Sequence, residues 1–357
     1  MINVTKTYLP SLKEYNRYLK KIWSSHWITN NGPLALELEE RLKKYLGVKH
    51  VLFVSNGTIA LQLAVRALGL TGKILTTPFS FAATTASIVW EGCEPRFVDI
   101  DPNTLCIDVN KIEAAITKET KAILAVHVYG NPCNVAAIAS IAKRHKLKVI
   151  YDAAHAFGVR VGKKSVMSFG DVSTISFHAT KLFHTAEGGA VITNDDALAE
   201  KISRMRNFGY DDRDHIAHLG INAKNSELHA AMGLCVLPKV KALIRRRRRI
   251  CEIYSELFRK TSLRTPRMHP QASINSSYYP VIFPSHTVML RVRKYLNEHS
   301  IAPRRYFYPS LNTLGYVKHS QCRVAEDIVH RVLCLPLYPE LTNRQVTTIA
   351  RLVLEKM

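Results

Sequence analysis

Three short stretches hold residues whose types and neighbours could do chemistry. Ser176-Phe177-His178-Ala179-Thr180-Lys181, followed by Glu187-Gly188-Gly189, places a lysine just past an apolar, strand-like run. Desolvation there favours the neutral amine, which is a nucleophile. Upstream, Tyr151-Asp152-Ala153-Ala154-His155-Ala156 sets a carboxylate at the end of another apolar run, where burial without a cationic partner is costly. Ser55-Asn56-Gly57-Thr58 is a small-residue turn between a strand and a helix. Its backbone N–H groups and the positive end of the helix dipole suit a phosphate. Each stretch taken alone has a plainer reading: a surface lysine, an aspartate capping a turn, an ordinary strand–helix turn. The turn matches neither the GxGxxG nor the Walker pattern.

The elements that must position these groups alternate between residues 49 and 194. Strand-like runs at Val51–Ser55, Lys73–Thr77, Arg96–Ile100, Lys121–Val128, Lys148–Tyr151, Val172–Phe177 and Ala190–Thr193 are separated by helical patterns. Those patterns run through Ile59, Leu63 and Ala67, over Phe81–Trp90 and over Val135–His145. Continuous apolar strands between helices predict an α/β fold with a mostly parallel sheet covered on both faces. Ligands gather beyond the carboxyl ends of such strands, where Ser55, Asp152 and the residues after Phe177 fall. Helices are expected at Asp196–Phe208 and Ser226–Val236, with Pro238 breaking the pattern. A strand at Tyr279–Phe283 and helices at Val288–Glu298 and Asn343–Glu355 read as a smaller α+β domain. The expected division is a large domain of residues 1–237, N-terminal arm included, and a small C-terminal domain of residues 238–357.

Composition narrows the setting. The first residues, Met1 to Trp23, lack the apolar centre of a signal peptide, and no apolar stretch is long enough to cross a bilayer. The chain reads as soluble and cytoplasmic. Seven scattered cysteines suit free thiols, and no metal site is indicated. The formal charge of +22 raises the question of a polyanionic partner. No nucleic-acid-binding signature accompanies it, so no specific nucleic-acid partner is expected. The densest run, Arg245 to Arg249, leads into Ile250, Tyr254, Leu257 and Phe258 and reads as the solvated start of an amphipathic helix, a phosphate-contacting surface being the other reading.

A cationic partner would remove the cost of burying Asp152. The protonated pyridine nitrogen of pyridoxal phosphate is one, and the pairing strengthens that cofactor as an electron sink. In this order and at these separations the three stretches resemble the DegT/DnrJ/StrS family of sugar aminotransferases. Further matching pieces are Leu36-Glu37-Leu38-Glu39 before Leu46-Gly47-Val48, Thr77-Pro78-Phe79-Ser80-Phe81-Ala82-Ala83-Thr84, Gly220-Ile221-Asn222, Leu335-Pro336-Leu337-Tyr338 and Leu341-Thr342. The resemblance spans almost the whole chain. It implies a fold-type I, pyridoxal-phosphate-dependent aminotransferase that works as a homodimer with active sites at the subunit interface.

By the same resemblance, Lys181 would hold the cofactor covalently and Asp152 would pair with its pyridine nitrogen. His155 matches a position, often glutamine, that contacts the ring hydroxyl; its protonation would add a pH sensitivity that glutamine lacks. Phe81 matches the aromatic that stacks on the ring. Gly57, Thr58 and Ser176 match phosphate contacts, and Asn222 one supplied by the partner subunit. Lys224 stands where the family often has arginine, which weakens a bidentate contact there. The implied reaction moves an amino group from glutamate, leaving 2-oxoglutarate, to a nucleotide-linked keto sugar. Within the family, Ser-Phe-His-Ala-Thr-Lys with Glu-Gly-Gly looks more like enzymes acting at C4 of a dTDP-4-keto-6-deoxyhexose than like C3-specific relatives. In Pro303–Pro309, Arg304, Arg305, Tyr306 and Tyr308 offer cations for a diphosphate and aromatics for sugar or base, a packed surface loop being the plainer reading. Transamination at C3 and a non-catalytic scaffold on the same fold stand as alternatives. Lys181 speaks against the related dehydrating branch, which carries histidine at that position.

Overall fold

The computed structural model describes residues 1–212 and 214–357. Its centre is a seven-stranded sheet built from β2 (His50–Val54), β3 (Lys73–Thr76), β4 (Glu94–Phe97), β5 (Thr120–Val126), β6 (Lys148–Asp152), β9 (Val172–Ser176) and β10 (Gly189–Thr193). The strand order is β2-β10-β9-β6-β5-β3-β4. β10 runs antiparallel to both neighbours and the other six strands share one direction. The mostly parallel α/β sheet expected from the sequence is therefore present. A small hairpin of β7 (Arg160–Val161) and β8 (Lys164–Ser165) lies between β6 and β9 in the chain.

Strand residues alternate between the two faces. Val51 and Phe53 of β2 join α1 (Leu12–Ser25), α2 (Pro33–Leu46) and α8 (Glu227–Val236) in one apolar cluster. Leu52 and Val54 join α3 (Gly57–Ala67) and α7 (Asp196–Met205) in another, together with Ile74, Leu124 and Ile150. Beside them pack α4 (Ala82–Trp90), α5 (Val109–Ala115) and α6 (Val135–His145). Helix starts follow local chemistry: Asn56 Oδ1 accepts from the Ile59 N–H at 2.9 Å to cap α3. For α2, which begins Gly-Pro, the cap comes from elsewhere: the buried Glu227 carboxylate accepts from the N–H groups of Leu34 (2.7 Å) and Ala35 (2.9 Å).

The C-terminal part holds α9 (Val240–Phe258), β11 (Ala272–Ser273), β12 (Tyr279–Ile282), α10 (His286–Glu298), β13 (Ile301–Ala302), α11 (Arg323–Arg331), β14 (Val332–Leu335) and α12 (Asn343–Leu354). β12 pairs antiparallel with β14, and β11 extends the β7–β8 hairpin. α8 passes into α9 through a single 3-10 turn at Leu237–Lys239. The first strand, β1 (Ile2–Asn3), crosses to this part and pairs in parallel with β13. Among the described residues no helix is long and apolar enough to cross a membrane. Six of the seven cysteines are buried and Cys251 is half-buried, all as free thiols.

Two expectations need correction. The strand expected at Arg96–Ile100 ends at Phe97; beyond it the Val98 N–H still donates to the Thr76 carbonyl, and Ile100 pairs with Ile107 in an isolated antiparallel bridge. The arginine run is not a solvated helix start, for it lies in the middle of α9. Arg245, Arg248 and Arg249 are exposed, but Arg246 donates to the carbonyls of Pro339 and Leu341 and to Asn343 Oδ1. Arg247 is buried and donates to the Ser277 carbonyl at 3.0 Å. It shares a helix face with Leu243, Ile250 and Tyr254, at i−4, i+3 and i+7.

β2 is an edge strand, and its exposed backbone is covered by a buried ion pair. Glu39 Oε1 accepts the Phe53 N–H at 2.7 Å, Arg206 donates to the Phe53 carbonyl at 3.0 Å, and the two side chains bond each other. This closes the edge without another strand. We predict that Arg206→Met destabilises the protein by about 3–5 kcal/mol, since it leaves Glu39 buried without its partner. Lys49→Ala, which breaks an exposed pair with Asp196, should leave the unfolding midpoint close to that of the parent. Urea unfolding of both variants beside the parent checks the contrast.

Candidate active site

The carboxyl ends of β2, β3, β6 and β9 open onto a cavity of about 300 Å³. Asp152, the last residue of β6, is buried at its floor. Its Oδ1 accepts the Ala154 N–H at 3.0 Å and its Oδ2 the Thr84 hydroxyl at 2.8 Å. Burial pushes the carboxyl above its ordinary range, opposed by those two hydrogen bonds and the charge of Lys181. Lys181 lies in the turn after β9, with Nζ 3.5 Å from the Tyr278 hydroxyl. Burial lowers its pKa, while Asp152 and Tyr306 oppose the shift. The desolvated amine and buried carboxylate expected from the sequence thus face one cavity.

The turn into α3 forms another wall. With Asn56 capping Ile59, the N–H groups of Gly57 and Thr58 make no hydrogen bond within the described chain and line the cavity. A Cβ on Gly57 would lie 2.9 Å from Ser176 Cβ, so the turn and the end of β9 meet only because this residue is glycine. Gly189 does the same for β10, where a Cβ would sit 2.6 Å from the Asn56 carbonyl carbon. Together these contacts bring Ser176 beside Gly57 and Thr58 in an arrangement open to an anion. Phe81, just before α4, is 58 % exposed although it is a large apolar residue, and it borders the same space.

His155 is buried between aromatic rings. It stacks on Phe307 with centroids 5.5 Å apart and meets the edge of Tyr278 at 5.0 Å. Its Nδ1 accepts the Tyr129 N–H at 3.3 Å, so the neutral ring carries its proton on Nε2. Tyr129 presents that N–H from a left-handed backbone conformation, φ 56°. Burial, reinforced by Lys181, holds the His155 pKa well below its ordinary value. The pH sensitivity expected of a histidine here is therefore absent near neutrality.

The remaining expected residues divide. Arg304 and Tyr306 line the cavity, with the guanidinium 4.8 Å from the Tyr306 ring centroid. Arg305 and Tyr308 lie outside it, which corrects the expectation for both. Arg305 donates to the Val329 carbonyl and packs on Tyr308 at 3.4 Å. Asn222 lies outside the cavity of its own chain, exposed, with Oδ1 accepting from Lys224 Nζ at 2.8 Å. Tyr278 and Phe307 line the cavity without having been singled out from the sequence. His178 and Glu187 line it too; they stood in quoted motifs, as did Thr84, without an assigned role.

The buried histidines tie stability to pH. His127, at the end of β5, is lowered to about 3 by burial, and His155 also stays neutral. The unfolded chain binds protons near pH 6.5 that these folded rings refuse. Stability is therefore full above about pH 6.5 and falls below it, by up to about 1.4 kcal/mol per pH unit per histidine. Urea midpoints between about pH 7.5 and pH 5 should show this slope, and His155→Gln should reduce it. A slope unchanged in that variant would contradict the assignment.

Similar proteins carry the same arrangement of chain. A dTDP-4-amino-4,6-dideoxy-D-glucose transaminase of Shigella dysenteriae is 45 % identical over 349 residues, 96 % of this chain and 95 % of its own. A protein of the same name from Escherichia coli is 41 % identical over 368 residues, covering 100 % and 99 %. Among solved structures, DesI in the presence of its TDP-sugar product superposes with a TM-score of 0.94 at 33 % identity, covering 99 % of this chain and 92 % of that one. The pattern of the DegT/DnrJ/EryC1/StrS aminotransferase family matches residues 11–354. The chain belongs to this family of sugar aminotransferases.

Proposed function

We propose that the protein uses pyridoxal phosphate to transfer an amino group from glutamate to C4 of a dTDP-4-keto-6-deoxyhexose, giving a dTDP-4-amino-4,6-dideoxy sugar and 2-oxoglutarate. The observation that carries this reading is the meeting, around one cavity, of Lys181, Asp152 and the free N–H groups of Gly57 and Thr58. The choice of C4 and of a dTDP sugar rests on the relatives at 41–45 % identity and their names. In this reading a cofactor-binding unit of residues 1–237 is completed by residues 238–357, which supply Tyr278, Arg304, Tyr306 and Phe307.

The residues present fit the cofactor. Asp152 is a buried carboxylate at the cavity floor, the acceptor that a cationic ring nitrogen needs. The amides of Gly57 and Thr58 with the Ser176 hydroxyl form a phosphate cradle at the start of α3. Phe81 offers its face to a ring, and His155 Nε2–H offers a donor to a ring oxygen. When bound, pyridoxal phosphate supplies an electron sink that stabilises negative charge on the carbon bearing the amine.

Lys181 then serves twice. Its desolvated amine would hold the cofactor and, once free, would take a proton from the donor α-carbon. In the second half-reaction it returns a proton to C4 of the sugar. Arg304 lines the cavity with a fixed positive charge suited to a diphosphate.

In the same reading the protein works as a homodimer. Trp27, Ile28, Phe208, Ile216, Leu219 and Ile221 are exposed apolar residues on two segments. Asn30, Asn207, Phe208 and Lys224 line one groove between those segments. Burying this surface against a second copy would remove apolar area from water and carry Asn222, next to Ile221, towards the partner's phosphate cradle.

The testing experiment is an absorbance spectrum of the holoenzyme before and after adding dTDP-4-amino-4,6-dideoxyglucose with no other amine. Loss of the visible band of bound pyridoxal phosphate, with gain of the pyridoxamine form, is expected. A band that responds only to the 3-amino isomer would overturn the C4 choice, and absence of any band after reconstitution would overturn the cofactor. Lys181→Ala should fold yet lose essentially all transamination, and Asp152→Asn should bind cofactor but turn over slowly. Normal turnover in either variant would refute the role given to that residue.

A further inference from the structure

Asp152 is held by more than its strand. Thr84 lies in the first turn of α4, fully buried, and its Oγ1 is 2.8 Å from Asp152 Oδ2. The same Oγ1 is 2.8 Å from the Ser80 hydroxyl, which is also buried. An ionised carboxylate only accepts, and a hydroxyl carries a single proton, so the direction of this chain is fixed. Ser80 donates to Thr84, and Thr84 donates to Asp152. Each donation polarises the next hydroxyl, and the whole chain favours the charged carboxylate over the neutral acid.

The surroundings make that help necessary. Lys181, from the turn after β9, is the group whose charge acts on the Asp152 carboxylate, and His155, from the segment after β6, lines the same cavity. His155 is kept neutral by burial, and Lys181 loses its charge when it is used as a nucleophile. Burial itself pushes Asp152 towards its neutral form. What remains fixed through a catalytic cycle is the Ala154 N–H on one oxygen and the Thr84 hydroxyl on the other.

We propose that Thr84, oriented by Ser80, is a positioning residue that holds the Asp152 carboxylate in the charge state and orientation a cationic ring nitrogen requires. This rests on the reading of Asp152 as the partner of that nitrogen. Thr84 also shares α4 with Phe81, which immediately precedes the helix. One short helix thus sets both the residue facing the ring and the hydroxyl steadying the carboxylate.

The test compares Thr84→Val and Thr84→Ser in the full chain, reading the affinity of the apoprotein for pyridoxal phosphate across pH, followed by kcat and KM. Valine keeps the shape and removes the hydroxyl; serine keeps the hydroxyl and removes a methyl group. Loss of a bond to the ionised form raises the Asp152 pKa, so the acidic limb of the affinity profile should move to higher pH in Thr84→Val. Binding near neutrality should weaken about tenfold, and kcat should fall more than KM rises. Thr84→Ser should stay near the parent in all three readings. Ser80→Ala should give a smaller shift in the same direction, and it serves as the readout if Thr84→Val fails to fold. A profile unmoved in Thr84→Val, or a serine variant worse than the valine one, would overturn the proposal in favour of packing. Failure of the parent protein itself to bind pyridoxal phosphate would instead overturn the underlying reading of the site.

Discussion

Burial of a carboxylate at the end of β6 is the constraint on which the other parts of the site depend. Removing Asp152 from water disfavours its charge, and among the described residues no cation forms a salt bridge with it. The sheet places it there because six strands run the same way and their carboxyl ends converge. The adjoining turns then supply what the carboxylate and its ligand need: N–H groups at α3, a hydroxyl at α4, a desolvated amine after β9.

How much of this was legible in the sequence follows from where each determinant lies. Lys181 and Asp152 could be found because both directly follow apolar strand runs, a local signal. The Gly57-Thr58 turn was visible for the same reason, although only the contact with Ser176 explains why glycine is required. Tyr278, Phe307 and Thr84 gave no such signal, because their places depend on how β12, β14 and α4 pack around the sheet. Arg247 was misread for a different reason. Its apolar neighbours at i−4, i+3 and i+7 were present in the sequence, but the charge of the run outweighed the helical period. Arg305 and Tyr308 stand with Arg304 and Tyr306 in the chain, whereas in the fold Arg305 turns to the Val329 carbonyl and packs on Tyr308 outside the cavity.

The helices at Leu12–Ser25 and Pro33–Leu46 illustrate a further limit. The second lacks a side-chain cap of its own and takes one from Glu227, far along the chain. Arg206 and Glu39 likewise close the edge of β2 from two distant segments. Such long-range substitutions of side chain for backbone are invisible to any local pattern, yet they decide which ends and edges can be buried. They also link the chemistry to the frame, since the strand they protect leads into the Gly57-Thr58 turn.

The pairing of β1 with β13 has a consequence for how the protein is made. Ile2 and Asn3 leave the ribosome roughly 300 residues before Ile301 and Ala302. At about 5–20 residues per second, that strand waits about 15–60 s for its partner. The central sheet can assemble during this interval, so β1 docks onto β13 only after the sheet that carries Asp152 has had time to form.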